Sequence, residues 1–175
     1  NSNNHATLSG IGTLTGTLTF NNQDGSALSG QLRVSGKLTS TGAVIISNAG
    51  VAPVIYQNTA NDYTGTTTIT AGELRLNPSA TTASFASQVV MNGGTLSTTA
   101  IANTTTFTST STLKLNDNSI ISLDALNGHS LKFAASNGVA WVSGKLLTIN
   151  NWQGVAGVSG TVGKIFVGTT SGGLL

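Results

Sequence analysis

The chain carries little that could do chemistry: five acidic residues, seven basic residues, two histidines and no cysteine in 175 residues. The carboxylates are Asp24, Asp62, Glu73, Asp117 and Asp124. Two of them facing one groove would be the machinery of glycoside cleavage, and a coiling chain can bring distant residues together. Their spacing suggests no such pair. Each stands beside turn residues or on an alternating strand, which favours capping and solvated positions. A calcium loop wants acids at alternate positions, and Asn116-Asp117-Asn118 offers one carboxylate, so it reads as a turn. His5, in a polar leader, and His129, in the turn Asn127-Gly128-His129-Ser130, have no partner in sequence for metal ligation or base catalysis. No G-x-S-x-G is present to expose a nucleophilic serine. Trp141 and Trp152 would suit a sugar-stacking platform, but their neighbours Val139, Leu146, Leu147 and Ile149 favour packing over a narrow core with the indole N–H paired. No residue is therefore assigned a catalytic, cofactor-binding or metal-binding role. No cofactor is expected, and the chain reads as a non-enzyme.

Threonine is the next candidate. Five of the seven residues from Thr64 to Thr70 are threonine, and Thr-x-Thr recurs at Thr13/Thr15, Thr17/Thr19 and through Thr104–Thr112. An ice-binding surface needs one flat rank of threonines at matching positions in successive coils. The clusters here are far apart in sequence, with coils between that lack them. Threonine is also a strong strand former whose hydroxyl keeps an outer face wet without charge. That second role is favoured over an ice or glycan face.

Composition sets the class. Thr, Ser, Asn and Gly make up about half of the chain, charged residues 7% and hydrophobic residues 38%. A disordered chain would be poorer in branched apolar residues and richer in charge or proline. The net charge of +2 comes from residues scattered singly, so the basic patch that nucleic acid requires is missing. No apolar run approaches the ~20 residues of a membrane-spanning helix.

The elements that must position these residues are strands. Gly, Thr, Ser and Asn interrupt every stretch long enough for helix. The clearest strand signals are Thr13–Phe20, Leu32–Val34, Val44–Ile46, Val54–Tyr56, Thr66–Thr70, Glu73–Leu76, Val89–Met91, Thr112–Leu115, Ile120–Leu123, Leu131–Phe133, Leu146–Ile149 and Ile165–Val167. An antiparallel sandwich and a β-solenoid both accommodate many short strands. The solenoid is favoured by strand brevity, by aromatics at only 5% and by single glycines at apparent corners: Gly16, Gly36, Gly42, Gly65 and Gly72. Parallel pairing should then dominate. Along Glu73-Leu74-Arg75-Leu76, the leucines should point inward and the charged residues outward, with the nearby threonines outward too.

One stretch carries a resemblance. Asn61-Asp62-Tyr63-Thr64-Gly65-Thr66-Thr67-Thr68 and on to Gly72-Glu73-Leu74-Arg75-Leu76 resembles the autotransporter-associated β-strand repeat, also called the passenger-associated transport repeat. The matching positions are Asn61, Tyr63, Thr64, Gly65, Thr67, Thr68, Gly72, Leu74 and Leu76. Thr66 stands where that family has a second glycine. Met91-Asn92-Gly93-Gly94-Thr95-Leu96 is similar to the segment that comes after such repeats. Ser130–Ser136, Trp141, Leu147–Trp152 and Lys164–Gly168 resemble the terminal module of large surface proteins that carry them. The resemblance implies a right-handed parallel β-helix, all-β with short strands, in a secreted or surface-displayed bacterial protein, and it transfers no catalytic residue.

The expected organisation is β-rich leading coils over 1–40, a β-helical repeat region over 41–129 and a terminal β module over 130–175 that stops part-way through its pattern. The expected function is structural or adhesive: stalk, adhesin or filament scaffold at the bacterial cell surface or outside the cell. Its partners would be other segments or subunits of the same protein, with Leu174 and Leu175 in such a contact. Surface glycans and host or abiotic surfaces are further partners. A glycan- or ice-binding module is the alternative, and a polysaccharide-degrading β-helix enzyme the third reading.

Overall fold

Short runs of β-branched and apolar residues, each ended by Gly, Asn or Ser, cannot extend far before the chain must turn. In the computed structural model, which describes residues 5–25, 30–77, 80–85, 87–98, 104–155 and 160–169, the strands are two to five residues long. Among the described residues there is no helix, and so none long and apolar enough to cross a membrane, a fact that does not bear on β-barrels. The chain is a β-solenoid of about six turns, whose stacked strands pair in parallel with their counterparts one turn away.

Three faces build the coils, the last described coil lacking a strand on the third. The first is a seven-stranded sheet of Ala6–Leu8, Leu32–Val34, Val54–Tyr56, Glu73–Leu76, Thr95–Ser97, Ser119–Ser122 and Leu147–Asn150. The second holds Ala60–Asn61, Thr82–Phe85, Thr106–Ser109, Ser130–Phe133 and Lys164–Val167, continued towards the N-terminus by the paired strands Ile11–Leu14 and Lys37–Ser40. The third holds Thr17–Phe20, Ala43–Ser47, Thr67–Ala71, Val89–Asn92 and Leu113–Asp117. The sheets run through residues 40/41 and 129/130, and one apolar cluster extends from Leu14 to Phe133. Among the described strands, the antiparallel pair is Gln153–Gly154 with Gly160–Val162, in an excursion of the last coil.

Strand alternation makes the core a set of columns. On the first face Leu32, Val54, Leu74, Leu96, Ile121 and Ile149 lie in register. On the third, Phe20, Ile46, Ile69, Met91 and Leu115 do. Leu74 and Leu76 are buried as expected, and Glu73 and Arg75 form an ion pair on the outer side at 2.8 Å. Ile55 stands between Arg33 and Arg75 on that outer side and is nonetheless buried, consistent with the stems of long basic side chains covering apolar surface.

Corners explain the glycines. Gly16, Gly42 and Gly65 stack at the bend between the second and third faces. A Cβ on Gly42 would meet the carbonyl oxygen of Gly16, and one on Gly65 that of Gly42. At the bend from third face to first, Gly72 has φ +68° and lies against Asn48. Asparagines stitch the earlier coils at this bend: Asn22 N–H donates to Asn48 Oδ1 at 3.1 Å, and Asn48 Nδ2 to the Glu73 carbonyl at 3.3 Å. The spacing from Val54 to Leu74 is 20 residues and from Ile121 to Ile149 is 28, so excess length leaves through loops while register is kept.

Three expectations need correction. Thr13–Phe20 is two strands, because the chain bends at Thr15-Gly16 into the next face. Thr67 points inward, in register with Val44 and Val89. Trp152 does not cover the core: it is 43% exposed in the last-coil excursion, and Leu146 and Ile149 are exposed with it. Trp141 does pack on the core, its Nε1–H donating to the Leu113 carbonyl at 3.1 Å. Leu174 and Leu175 lie outside the described residues.

Candidate functional site

The five carboxylates occupy separate coils or corners and serve local geometry. Asp62 meets Lys37 Nζ at 2.5 Å, and the hydrogen bond from Lys37, aided by one from Thr39, holds its carboxyl below the usual value. Asp117 is held down likewise by Lys145 at 2.7 Å and by the Asn118 N–H. Glu73 pairs with Arg75. At Asp124 burial pushes the carboxyl up, but N–H donation from Leu126 at 2.9 Å and Asn127 at 2.8 Å outweighs it, leaving the group below its ordinary value. Asp24 lies in the corner stitched by Asn22, whose Oδ1 accepts its N–H. Among the described residues no three or more His, Asp or Glu side chains are grouped to hold a metal ion.

The histidines are not simple polar turn residues. His5 Nε2 accepts from Arg33 Nη2 at 2.9 Å, since a guanidinium can only donate. His129 is fully buried and meets Phe107 edge-on, with ring centroids 6.2 Å apart. Of Asn116-Asp117-Asn118, read as a turn, Asn116 and Asp117 instead end the strand Leu113–Asp117 and Asn118 makes the bend after it: Asp117 accepts the Asn118 N–H, and Asn118 Oδ1 accepts from Leu146 N at 2.9 Å.

One buried polar group escaped sequence reasoning. Tyr56, Tyr63, Thr67 and Ser87 form a chain of hydroxyls inside the core. The Tyr56 and Tyr63 oxygens are 3.2 Å apart, Tyr63 and Thr67 2.6 Å apart, and Thr67 also contacts Ser87. Burial pushes Tyr56 well above the ordinary tyrosine value, reinforced by Tyr63. It pushes Tyr63 up as well, against the pull of its hydrogen bonds to Thr67 and Tyr56. The chain joins successive coils. The repeat-like spacing of Tyr63 and Thr67 was its signal, four residues apart across a glycine corner. Asn61 of the same motif is also buried, and its Oδ1 accepts the Leu38 N–H of the preceding coil at 2.8 Å.

The outward threonines do not form a rank. Thr19, Ile45, Thr68, Val90 and Lys114 share one outer column of the third face. On the second face Thr82 and Thr106 give way to Ser130 and Lys164, and Ser84 and Thr108 to Lys132 and Phe166. At this last change the surface acquires an open groove of about 1010 Å³, whose exposed walls include Thr108, Thr110, Lys132, Phe166 and Thr169.

Compared with known proteins, the chain matches no family model, no curated protein and no solved structure.

Proposed function

We propose that the chain is a structural, adhesive segment of a large secreted or surface-displayed bacterial protein, working as stalk, adhesin or filament scaffold. The observation that carries the reading is the continuous core. Among the described residues the same inward columns recur from coil to coil, and the carboxylates are spent on corners and ion pairs. Such a body transmits position along its axis, which is what a stalk needs. The resemblance of Asn61–Leu76 to the passenger-associated transport repeat agrees with this, as do the roles those residues take. Gly65 leaves room for the corner of the preceding coil at Gly42, Asn61 and Tyr63 bind neighbouring coils, and Leu74 and Leu76 fill the core. The mixed outer columns of Thr, Ile, Val and Lys disfavour an ice-binding rank. Its partners on this reading are further segments or subunits of the same protein.

Surface display tests the proposal. The chain is placed between an export signal and an outer-membrane anchor, with an epitope at its far end. The expected result is an exported, protease-resistant rod whose epitope antibodies reach on intact cells. Retention inside the cell, rapid proteolysis on the surface, or cleavage of a polysaccharide by the purified chain would each overturn it.

A further inference from the structure

The second face ends differently from how it begins. In its last two strands the outer positions Ser130 and Lys132 lie beside Lys164 and Phe166. Phe166 is 43% exposed, and Lys132 Nζ sits 5.8 Å from its ring centroid. Lys164 is two residues from Phe166 on the same outer side, about 7 Å along the strand. The ion pairs among the described residues are Lys37–Asp62, Arg75–Glu73 and Lys145–Asp117, and neither Lys132 nor Lys164 takes part in them. None of the five carboxylates lies on the described strands from Thr82 to Val167 of this face. Among the described residues, two cations without an ion-pair partner therefore lie beside one exposed aromatic ring; Lys132 and Phe166 line an open groove with Thr108, Thr110 and Thr169, and Lys164 stands just outside it.

We propose that this patch binds an acidic carbohydrate chain, with a sugar ring on Phe166 and carboxylate groups on Lys132 and Lys164. The charge of the patch selects an anion. The phenyl ring offers a flat apolar surface to the C–H face of a pyranose, and the threonine hydroxyls can both donate to and accept from sugar hydroxyls. Single-stranded nucleic acid also stacks on aromatics, but it wants a basic groove that tracks its backbone, and two cations on an otherwise uncharged face do not make one. The site depends on the fold and not on the stalk reading, so either can fail without the other.

Calorimetric titration of the 175-residue chain at low salt tests it, with trigalacturonate, its neutral methyl ester and an oligothymidylate of equal charge as ligands. Saturable binding of the acid is expected, roughly tenfold weaker for the ester and for each of Phe166→Ala, Lys132→Gln and Lys164→Gln. Lys114→Gln, on the third face, should bind like the parent. The replaced side chains are exposed, so melting temperatures should not move. Absence of saturation, an equal loss in Lys114→Gln, binding indifferent to Phe166, or tighter binding of oligothymidylate would overturn the proposal.

Discussion

Ile121 and Ile149 occupy the same inward column of the first face, one coil apart, yet Ile121 is fully buried and Ile149 is 38% exposed. At the other end Leu8 is in register with Val34, and the same contrast holds: 41% exposed against fully buried. The members of each pair are aliphatic, lie on the same face and are in register. What differs is whether described coils lie on both sides. In this architecture inward orientation does not itself give burial; the stacked neighbour does. Stability should accordingly concentrate in the middle coils, and side chains of one kind should differ in worth by position along the axis.

The sharpest way to break that comparison is Leu76→Asp against Ile149→Asp. The first removes a buried leucine and buries a carboxylate without a partner, a cost of roughly 4 kcal/mol or more, enough to unfold a marginal domain. The second should cost less than about 1 kcal/mol. Denaturant melts that give equal losses would refute the contrast between middle and end.

A finer cut lies within one strand. Thr67→Val takes an acceptor and donor from the buried hydroxyl chain and should cost about 1–3 kcal/mol, whereas Thr68→Val on the outer side should stay within about 0.5 kcal/mol. Near-equal values would show that the inner chain contributes nothing beyond its volume.

The smallest effects come from titration. The lowered carboxyls of Asp62, Asp117 and Asp124 favour the folded state above the ordinary aspartate value of 3.8, and that contribution is lost as pH falls through their lowered values. The raised hydroxyls of Tyr56 and Tyr63 act oppositely. Their contribution is complete below the ordinary value of 10.0 and is lost as pH rises above it towards their raised values. Melting temperature should therefore be level from about pH 5 to 9 and fall on both sides, and Asp124→Asn should flatten the acid limb. An acid limb unchanged in that variant would remove Asp124 from the account.

The parallel stacking was legible in the sequence because its signals are local: strands too short for a sandwich, glycines at single corners, and the Leu-x-Leu alternation at Leu74 and Leu76. Strands such as Lys37–Ser40, Thr82–Phe85 and Thr106–Ser109 were not legible. They carry few apolar residues and become strands through pairing with the coil beside them. Thr67 was misread for a related reason. Alternation fixes which residues share a side but not which side is inner, and threonine suits both. The Lys132–Phe166 patch was invisible because its members are more than thirty residues apart and meet only through coil register.

The three ion pairs among the described residues sit on the surface, two of them joining successive coils through an acid about half exposed, while most of the bonds between coils come from backbone and neutral side chains. Exposed pairs contribute little and are screened by dissolved ions. A body held together this way has almost nothing for added electrolyte to weaken. Its shape and its melting point should be as indifferent to brine as to fresh water.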